Sequence, residues 1–401
     1  MDLVGEILSR VPLTSLSAVR CTCKSWNALS KHQIFGKAEV SARKQFLGLM
    51  VMDSKVCSLR FGLQGIRNDG DDKTVVPTSI KQVSVLDQVE ISQVFHCDGL
   101  LLCVTKDRWR LVVWNPYLGQ FRWIRFRKQF GKYDMFTLGY DNNNRNHKIM
   151  RFIDKCGYSY PERRYLEVHD VNSNSWRVVE FNPIWNLCCY YVSLKGNTYF
   201  FAQDIIQDQE EEEDLKYENY ILCFDFTAER FGPQLPLPFH SYDDEGGAVT
   251  LSCVREEQLA LLYQSFETRE LLEIWISNKI DPNLVSWSKF LKLDITTLTG
   301  FPKDFRCGSF FIDDEKKVSV VSDPHKYILF RKPCPYYKVY IIGEDGYFKS
   351  FKIKSSKSPE LSSYAPSLVQ LQTNKPCKRK RRSNKPKRER KNKRRMIEIT
   401  N

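Results

Sequence analysis

Val113-Trp114-Asn115-Pro116-Tyr117-Leu118-Gly119, with Trp123 a few residues on, decides how this chain folds. A β-branched and aromatic run meets an Asn-Pro turn signal and resumes with another ring, which is the local grammar of a hairpin. The same pattern returns at Asp170…Trp176, Phe224-Asp225-Phe226…Phe231, Trp275…Trp287 and Tyr340…Gly346-Tyr347. A second series of turns lies between these, in apolar hairpins. Its members are Asp98-Gly99 before Leu100-Leu101-Leu102, Asp141-Asn142-Asn143-Asn144, Gly196-Asn197, Glu256-Glu257 and Asp314-Glu315. Within each series successive turns stand about 45–65 residues apart, the regime of four-stranded propeller blades of kelch size. Two hairpins per period supply the four strands a blade needs. Five periods, with an extra strand group at 46–97, predict an all-β propeller of about six blades. A pair of β-sandwiches is the rival fold, but it would not demand the repeat. The recurring rings, Trp114, Trp123, Trp176, Trp275 and Trp287, read as wedges between neighbouring sheets in preference to a ligand cage.

The chain has 401 residues, of which 42% are hydrophobic, with 8 Trp, 19 Tyr and 25 Phe. That is ample for a large buried core and excludes global disorder. The net charge of +13 is local: residues 375–395 hold 14 basic groups and one acid, leaving 47 basic and 47 acidic groups elsewhere. No apolar run approaches the roughly 18 residues a membrane helix needs. The start, Met1-Asp2-Leu3-Val4-Gly5-Glu6, is acidic where a signal peptide would be basic, so a nuclear or cytosolic location is expected. Thirteen cysteines with no Cys-x-x-Cys spacing read as reduced thiols, mostly buried, and neither disulfides nor zinc are expected.

The first forty residues have a different period. Leu3, Val4, Ile7 and Leu8 share one helical face, and Leu13, Leu16, Val19, Cys23 and Trp26 form a second stripe beyond Val11-Pro12. Three short helices, near 2–9, 13–21 and 23–30, are predicted. They carry about ten large apolar groups, more than so small a module hides by itself, so a neighbouring domain or another protein should cover the surplus.

These residues resemble an F-box. The stretch 2–13 and the element Val19-Arg20-Cys21-Thr22-Cys23-Lys24-Ser25-Trp26 stand at the family's spacing, although the usual Leu-Pro before the position of Asp2 is missing. The resemblance implies docking onto the Skp-type adaptor of SCF ubiquitin ligases, with Leu3, Ile7, Leu8, Val11, Pro12, Leu13, Leu16, Cys23 and Trp26 as the adaptor-binding set. The long middle region resembles the plant F-box-associated interaction domain, a kelch-like β domain that recruits substrates. The matching signatures run in order from His96-Cys97-Asp98-Gly99 through 113–119, Leu138-Gly139-Tyr140-Asp141, 194–199, Phe224-Asp225-Phe226-Thr227 and 235–239 to Pro366-Ser367-Leu368-Val369. The domain plan that follows is an F-box at 1–40, the propeller at 46–371 and a basic tail at 372–401.

No phosphate-cradling, dinucleotide, zincin or nucleophile-elbow motif occurs. The six histidines (His32, His96, His147, His169, His240, His325) show no ligand spacing, so no catalytic residue, metal or cofactor is expected. The acidic run 208–214 reads as a solvated loop, able to attract the tail at low salt. The tail has no aromatic residue and no apolar period, and disorder is expected there. Its clusters, Lys378, Arg379, Lys380, Arg381 and Arg382, then Lys387, Arg388, Arg390 and Lys391, read as a nuclear import signal in preference to a nucleic-acid patch, since there are no rings for bases to stack on. The resemblance therefore implies a non-catalytic substrate receptor of an SCF-type ligase, expected to reach cullin and RING protein through the adaptor. Two alternatives stand behind it: a nuclear protein holding nucleic acid weakly through its tail, with a degenerate F-box, and a propeller enzyme.

Overall fold

The structure is a computed structural model. It describes residues 4, 19, 22–26, 47–61, 77–82, 89–126, 129–132, 134–154, 164–180, 186–206, 216–239, 247–265, 270–302, 308–313, 317–322, 336–344, 346–354 and 360–371. The expected three-helix layout and the acidic run fall largely or wholly outside these residues.

Among the described residues, twenty-four strands form six antiparallel four-stranded sheets, as the turn spacing predicts. The first blade begins with β1 (Leu47–Met52), β2 (Lys55–Phe61) and β3 (Pro77–Gln82). The second is β4 (Ile91–Cys97), β5 (Leu100–Thr105), β6 (Arg110–Asn115) and β7 (Gln120–Arg125). The third is β8 (Met135–Tyr140), β9 (His147–Asp154), β10 (Arg164–Asp170) and β11 (Ser175–Val179). The fourth is β12 (Asn186–Leu194), β13 (Asn197–Ile206), β14 (Lys216–Asp225) and β15 (Arg230–Leu235). The fifth is β16 (Gly247–Val254), β17 (Gln258–Ser265), β18 (Leu271–Asp281) and β19 (Leu284–Asp294). The sixth is β20 (Phe310–Asp313), β21 (Val318–Ser322), β22 (Tyr336–Gly343) and β23 (Phe348–Lys354).

The group at 46–97 is not one unit: it holds three strands of the first blade and the inner strand of the second. The first blade takes its own inner strand from the far end of the domain. There β24 (Glu360–Ser363) pairs with β1 in the register Met50↔Leu361 and Gly48↔Ser363, which closes the ring. Hydrogen bonding between the two ends of the domain removes two open sheet edges at once.

Strand periodicity explains why a blade interior is apolar throughout while its rim is mixed. Every residue of β5 is buried. Its Leu101 and Cys103 pack toward the first blade with Leu49 and Val56, while Leu100, Leu102 and Val104 pack toward the third with Phe136 and Leu138. Side chains alternate across a sheet that has a neighbour on each side, so no position faces water. Equivalent apolar clusters fill the other four interfaces.

The topology makes the two faces unequal. One bears the hairpins between first and second and between third and fourth strands, tight turns such as 98–99, 195–196 and 282–283. Asp98 and Gly99 both have positive φ, 51° and 70°, as a two-residue turn of this hand requires. The strand ends that lead into the second-to-third and blade-to-blade connections lie on the opposite face, and in the sequence 13 residues separate β21 from β22. The chain enters the propeller at Leu47 and leaves it at Leu371 on the tight-turn face.

Candidate functional sites

Of the adaptor-binding set, Cys23 and Trp26 lie within the described residues. Leu3, Ile7, Leu8, Val11, Pro12, Leu13 and Leu16 lie outside them, as do all nine import residues of the tail. Around Trp26 the backbone is helical. The Thr22 hydroxyl donates to the Val19 carbonyl (2.6 Å), and the Trp26 N–H meets Cys23 Sγ (3.4 Å). Cys23 is exposed, and 37% of Trp26 is open to solvent, so an indole of this size has apolar surface left for a partner.

At the tight-turn face, polar groups from opposite blades meet across the ring. His96, at the end of β4, places Nε2 3.2 Å from Glu256 Oε1 in the β16–β17 turn and 3.2 Å from the Gly99 backbone nitrogen. Tyr364, just past β24, packs on the His96 ring (5.1 Å) and donates its hydroxyl to the Gly99 carbonyl (3.4 Å). Beside it, Asp98 faces Arg145 and His147, each at 3.4 Å. The charges continue outward: Lys148, buried, reaches Glu229 (2.7 Å), Asp141 (3.5 Å) and the Phe226 carbonyl (2.9 Å), and Arg177 also binds Glu229. These ties bind the second, third, fourth and fifth blades at one face. His96 and His147, which look scattered in the sequence, are 51 residues apart because each flanks the first hairpin of its blade; the blade period was the signal that could have paired them.

This cluster is built for fixed geometry. Burial pushes the Cys103 thiol up to about 12, burial with nearby Asp53 pushes Cys57 up to about 11, and Cys97 beside the channel is raised well above the ordinary thiol value, chiefly by burial. Thiols so placed stay protonated and are poor nucleophiles. Burial also lowers His169 to about 4, helped by the Arg122 charge and opposed by a hydrogen bond to Asn174, so its ring is neutral at physiological pH. Among the described residues no three His, Cys, Asp or Glu side chains converge as metal ligands.

From Tyr364 onward a strap, 364–371, crosses the second blade from channel to rim. Ser367 donates its hydroxyl to the Asp98 carbonyl (2.6 Å), and the buried Asn115 amide donates to the carbonyls of Ser367 (3.1 Å) and Val369 (2.8 Å). Gln120 accepts the Leu371 N–H (2.9 Å). The Asn of the Trp-Asn-Pro hairpin is therefore an anchor for a segment some 250 residues away in sequence. The predicted wedge rings differ in burial. Trp114 on β6 is buried between the first two blades, whereas Trp123, Trp176, Trp275 and Trp287, on β7, β11, β18 and β19, are half-buried against the same inter-blade clusters. They are spread around the ring and form no common cage.

A family profile described as an F-box associated beta propeller domain matches residues 47–371, and one described as an F-box domain matches residues 1–38. The chain is an F-box protein with an F-box-associated β-propeller. Among Arabidopsis thaliana proteins, this F-box protein is 67% identical to F-box protein At1g59680 over 374 residues, covering 92% of this chain and 95% of the relative. It is 54% identical to F-box/kelch-repeat protein At3g13680 over 402 residues, 94% of this chain and 97% of the relative. Of solved structures, a chain of the nidogen/laminin complex aligns with 79% of this F-box protein and 98% of its own length, at 13% identity and a TM-score of 0.43.

Proposed function

We propose that this F-box protein is the substrate-recognition subunit of an SCF-type ubiquitin ligase. The observation that carries the reading is the succession of an F-box match and an F-box-associated propeller in one chain. In this reading Leu3, Ile7, Leu8, Val11, Pro12, Leu13, Leu16, Cys23 and Trp26 meet a Skp-type adaptor, and cullin and RING protein follow through it. The propeller holds a target protein, and the ligase's other subunits carry out the transfer. The receptor's contribution is proximity, which raises the effective concentration of a target lysine beside the charged conjugating enzyme.

The fold supports a division of labour between the two faces. The F-box precedes Leu47, whose strand starts at the tight-turn face, and that face is already occupied by the strap and the charge network. The opposite face carries the longer connections, where a rigid scaffold presents variable loops to a ligand. We assign the target to that face and, from the clusters at 378–382 and 387–391, the receptor to the nucleus.

Affinity purification with and without Trp26→Ala tests the adaptor assignment. Wild-type chain should retain adaptor and cullin, and the variant should lose both. Equal adaptor recovery would remove Trp26 from the interface. A reporter fused to 375–395 that stays in the cytosol would refute the import assignment.

A further inference from the structure

The balance of 47 basic and 47 acidic groups outside the tail hides a strong local excess. Residues 106–132 contain eight Lys and Arg and one acid, Asp107. The structure gathers most of these on one corner and edge of the second blade. The turn between β5 and β6 is set by Asp107, whose carboxylate accepts the Thr105 hydroxyl (2.7 Å), the Trp109 N–H (2.9 Å) and the Arg110 guanidinium (2.7 Å). Burial opposes ionisation of that carboxyl, but the three hydrogen bonds hold it below the usual value, so the one acid is spent on the turn. The segment after β7 then docks on the turn, with the Phe126 N–H on the Trp109 carbonyl and the Phe130 N–H on the Arg108 carbonyl, both at 3.0 Å. Arg108 is held at φ 60°, and the Trp109 indole is left 43% exposed. A large ring displayed on so well-fastened a turn costs little further ordering when it binds.

From this corner a ladder of rings and cations runs along β7. Alternation places Phe121, Trp123 and Arg125 on one side of the strand, with Arg122 and Ile124 buried on the other. Arg110 lies directly opposite Arg125 in register and stacks over the Trp123 ring (5.0 Å), which in turn meets Phe121 edge-on (6.4 Å). Lys106 is paired with Glu90 (3.2 Å). Beyond β7 the sheet stops, so its outer backbone edge has no strand partner among the described residues. The outer strand of the sixth blade, β23, carries Lys349, Lys352 and Lys354, the usual guard against edge pairing. The second blade has Arg125 exposed beside the ring-stacked Arg110 instead, and a guanidinium fork is made to grip carboxylates.

We propose that this surface is a docking site for an acidic, extended peptide segment of the target protein. The peptide adds a strand along β7, sets a carboxylate against Arg125, and lays an apolar residue on Trp109. The free strand edge favours a peptide over a nucleic acid, because only a polypeptide can answer a row of backbone N–H and C=O groups. The proposal rests on the receptor reading, and it names the chemistry of what the receptor holds.

The test uses the full-length chain and fluorescence anisotropy with three labelled probes: a peptide of alternating Glu and Val, its Gln-Val counterpart, and single-stranded oligouridine. The Glu-Val peptide should bind best and weaken with salt. Arg125→Gln and Trp109→Ala, both at exposed positions that leave the fold intact, should each reduce its affinity by about tenfold. A photo-crosslinking form of the same peptide should label residues 106–125. The proposal is overturned if the peptide crosslinks only within 375–395, if both variants bind like wild type, or if oligouridine binds more tightly and is lost with the same substitutions. Adaptor recovery, measured in parallel, reports on the receptor reading separately: the two variants should keep it, and its absence from wild-type chain would count against that reading alone.

Discussion

Asn115→Asp asks whether the strap is held by the hairpin asparagine. The two side chains have the same shape, so packing is preserved and only hydrogen bonding and charge change. Asn115 is completely buried; Nδ2 donates to the Ser367 and Val369 carbonyls at 3.1 and 2.8 Å, and Oδ1 accepts the Leu118 N–H at 2.9 Å. Aspartate keeps the third bond and loses both donors. Two net hydrogen bonds are worth about 1 kcal/mol each, and leaving two carbonyls against a carboxylate adds about 1–2 kcal/mol, so the loss should be about 3–4 kcal/mol. With the entropy of unfolding expected for a domain of this size, that corresponds to a fall in Tm of roughly 5 °C. Urea unfolding followed by tryptophan fluorescence should show the lower midpoint, and limited proteolysis should show faster cleavage within 364–371. The deficit should shrink on acidification, because a protonated carboxyl regains one donor. A variant as stable as wild type, with unchanged cleavage, would refute the anchoring role of Asn115.

Three further outcomes follow from particular contacts. His169 is lowered to about 4, chiefly by burial, so the unfolded chain binds the extra proton between its ordinary value of 6.5 and 4. Its contribution is therefore full above pH 6.5 and is lost as pH falls toward 4, amounting to about 3 kcal/mol; His169→Gln should flatten that part of the stability curve in urea titrations, and an identical slope would count against it. Gly99→Ala should lower the thermal midpoint and loosen the strap, because Gly99 has φ 70° and an added Cβ would overlap the Ser367 side chain; the reading fails if calorimetry gives an unchanged midpoint. Lys148→Met removes the cation that bridges Glu229 and Asp141 inside the face network and should cost about 3 kcal/mol in urea midpoint analysis. Adding Glu229→Gln should recover part of that loss, and full additivity of the two would show that they are not coupled.

The hairpins were legible because turn chemistry is local. Asp98-Gly99 states its own backbone angles, and the spacing of such turns counts the blades without any knowledge of how they pack. The closing strand was not legible: Glu360-Leu361-Ser362-Ser363 has neither length nor alternation, and it becomes a strand because β1 presents an open edge at the point where the ring must shut. Nor was the axial cluster, since His96 and Glu256 are 160 residues apart in sequence and meet only because opposite blades converge on one channel. Trp114 and Trp123 look alike in the sequence, but the first is fully buried and the second half-buried; Trp275, on a strand flanked on both sides like that of Trp114, is half-buried too, so strand position alone does not set burial.

By itself, then, the sequence determined the blade period, the four strands per blade, the F-box signature and the charge of the tail, all properties set by residues close together along the chain. Only the tertiary structure decided which face is tied shut and which bears the long connections, what Asn115 holds, and that cations spread over 106–125 share an edge with exposed rings. Those depend on the closure of the ring, which sets blades side by side and folds residues distant in the chain onto one surface.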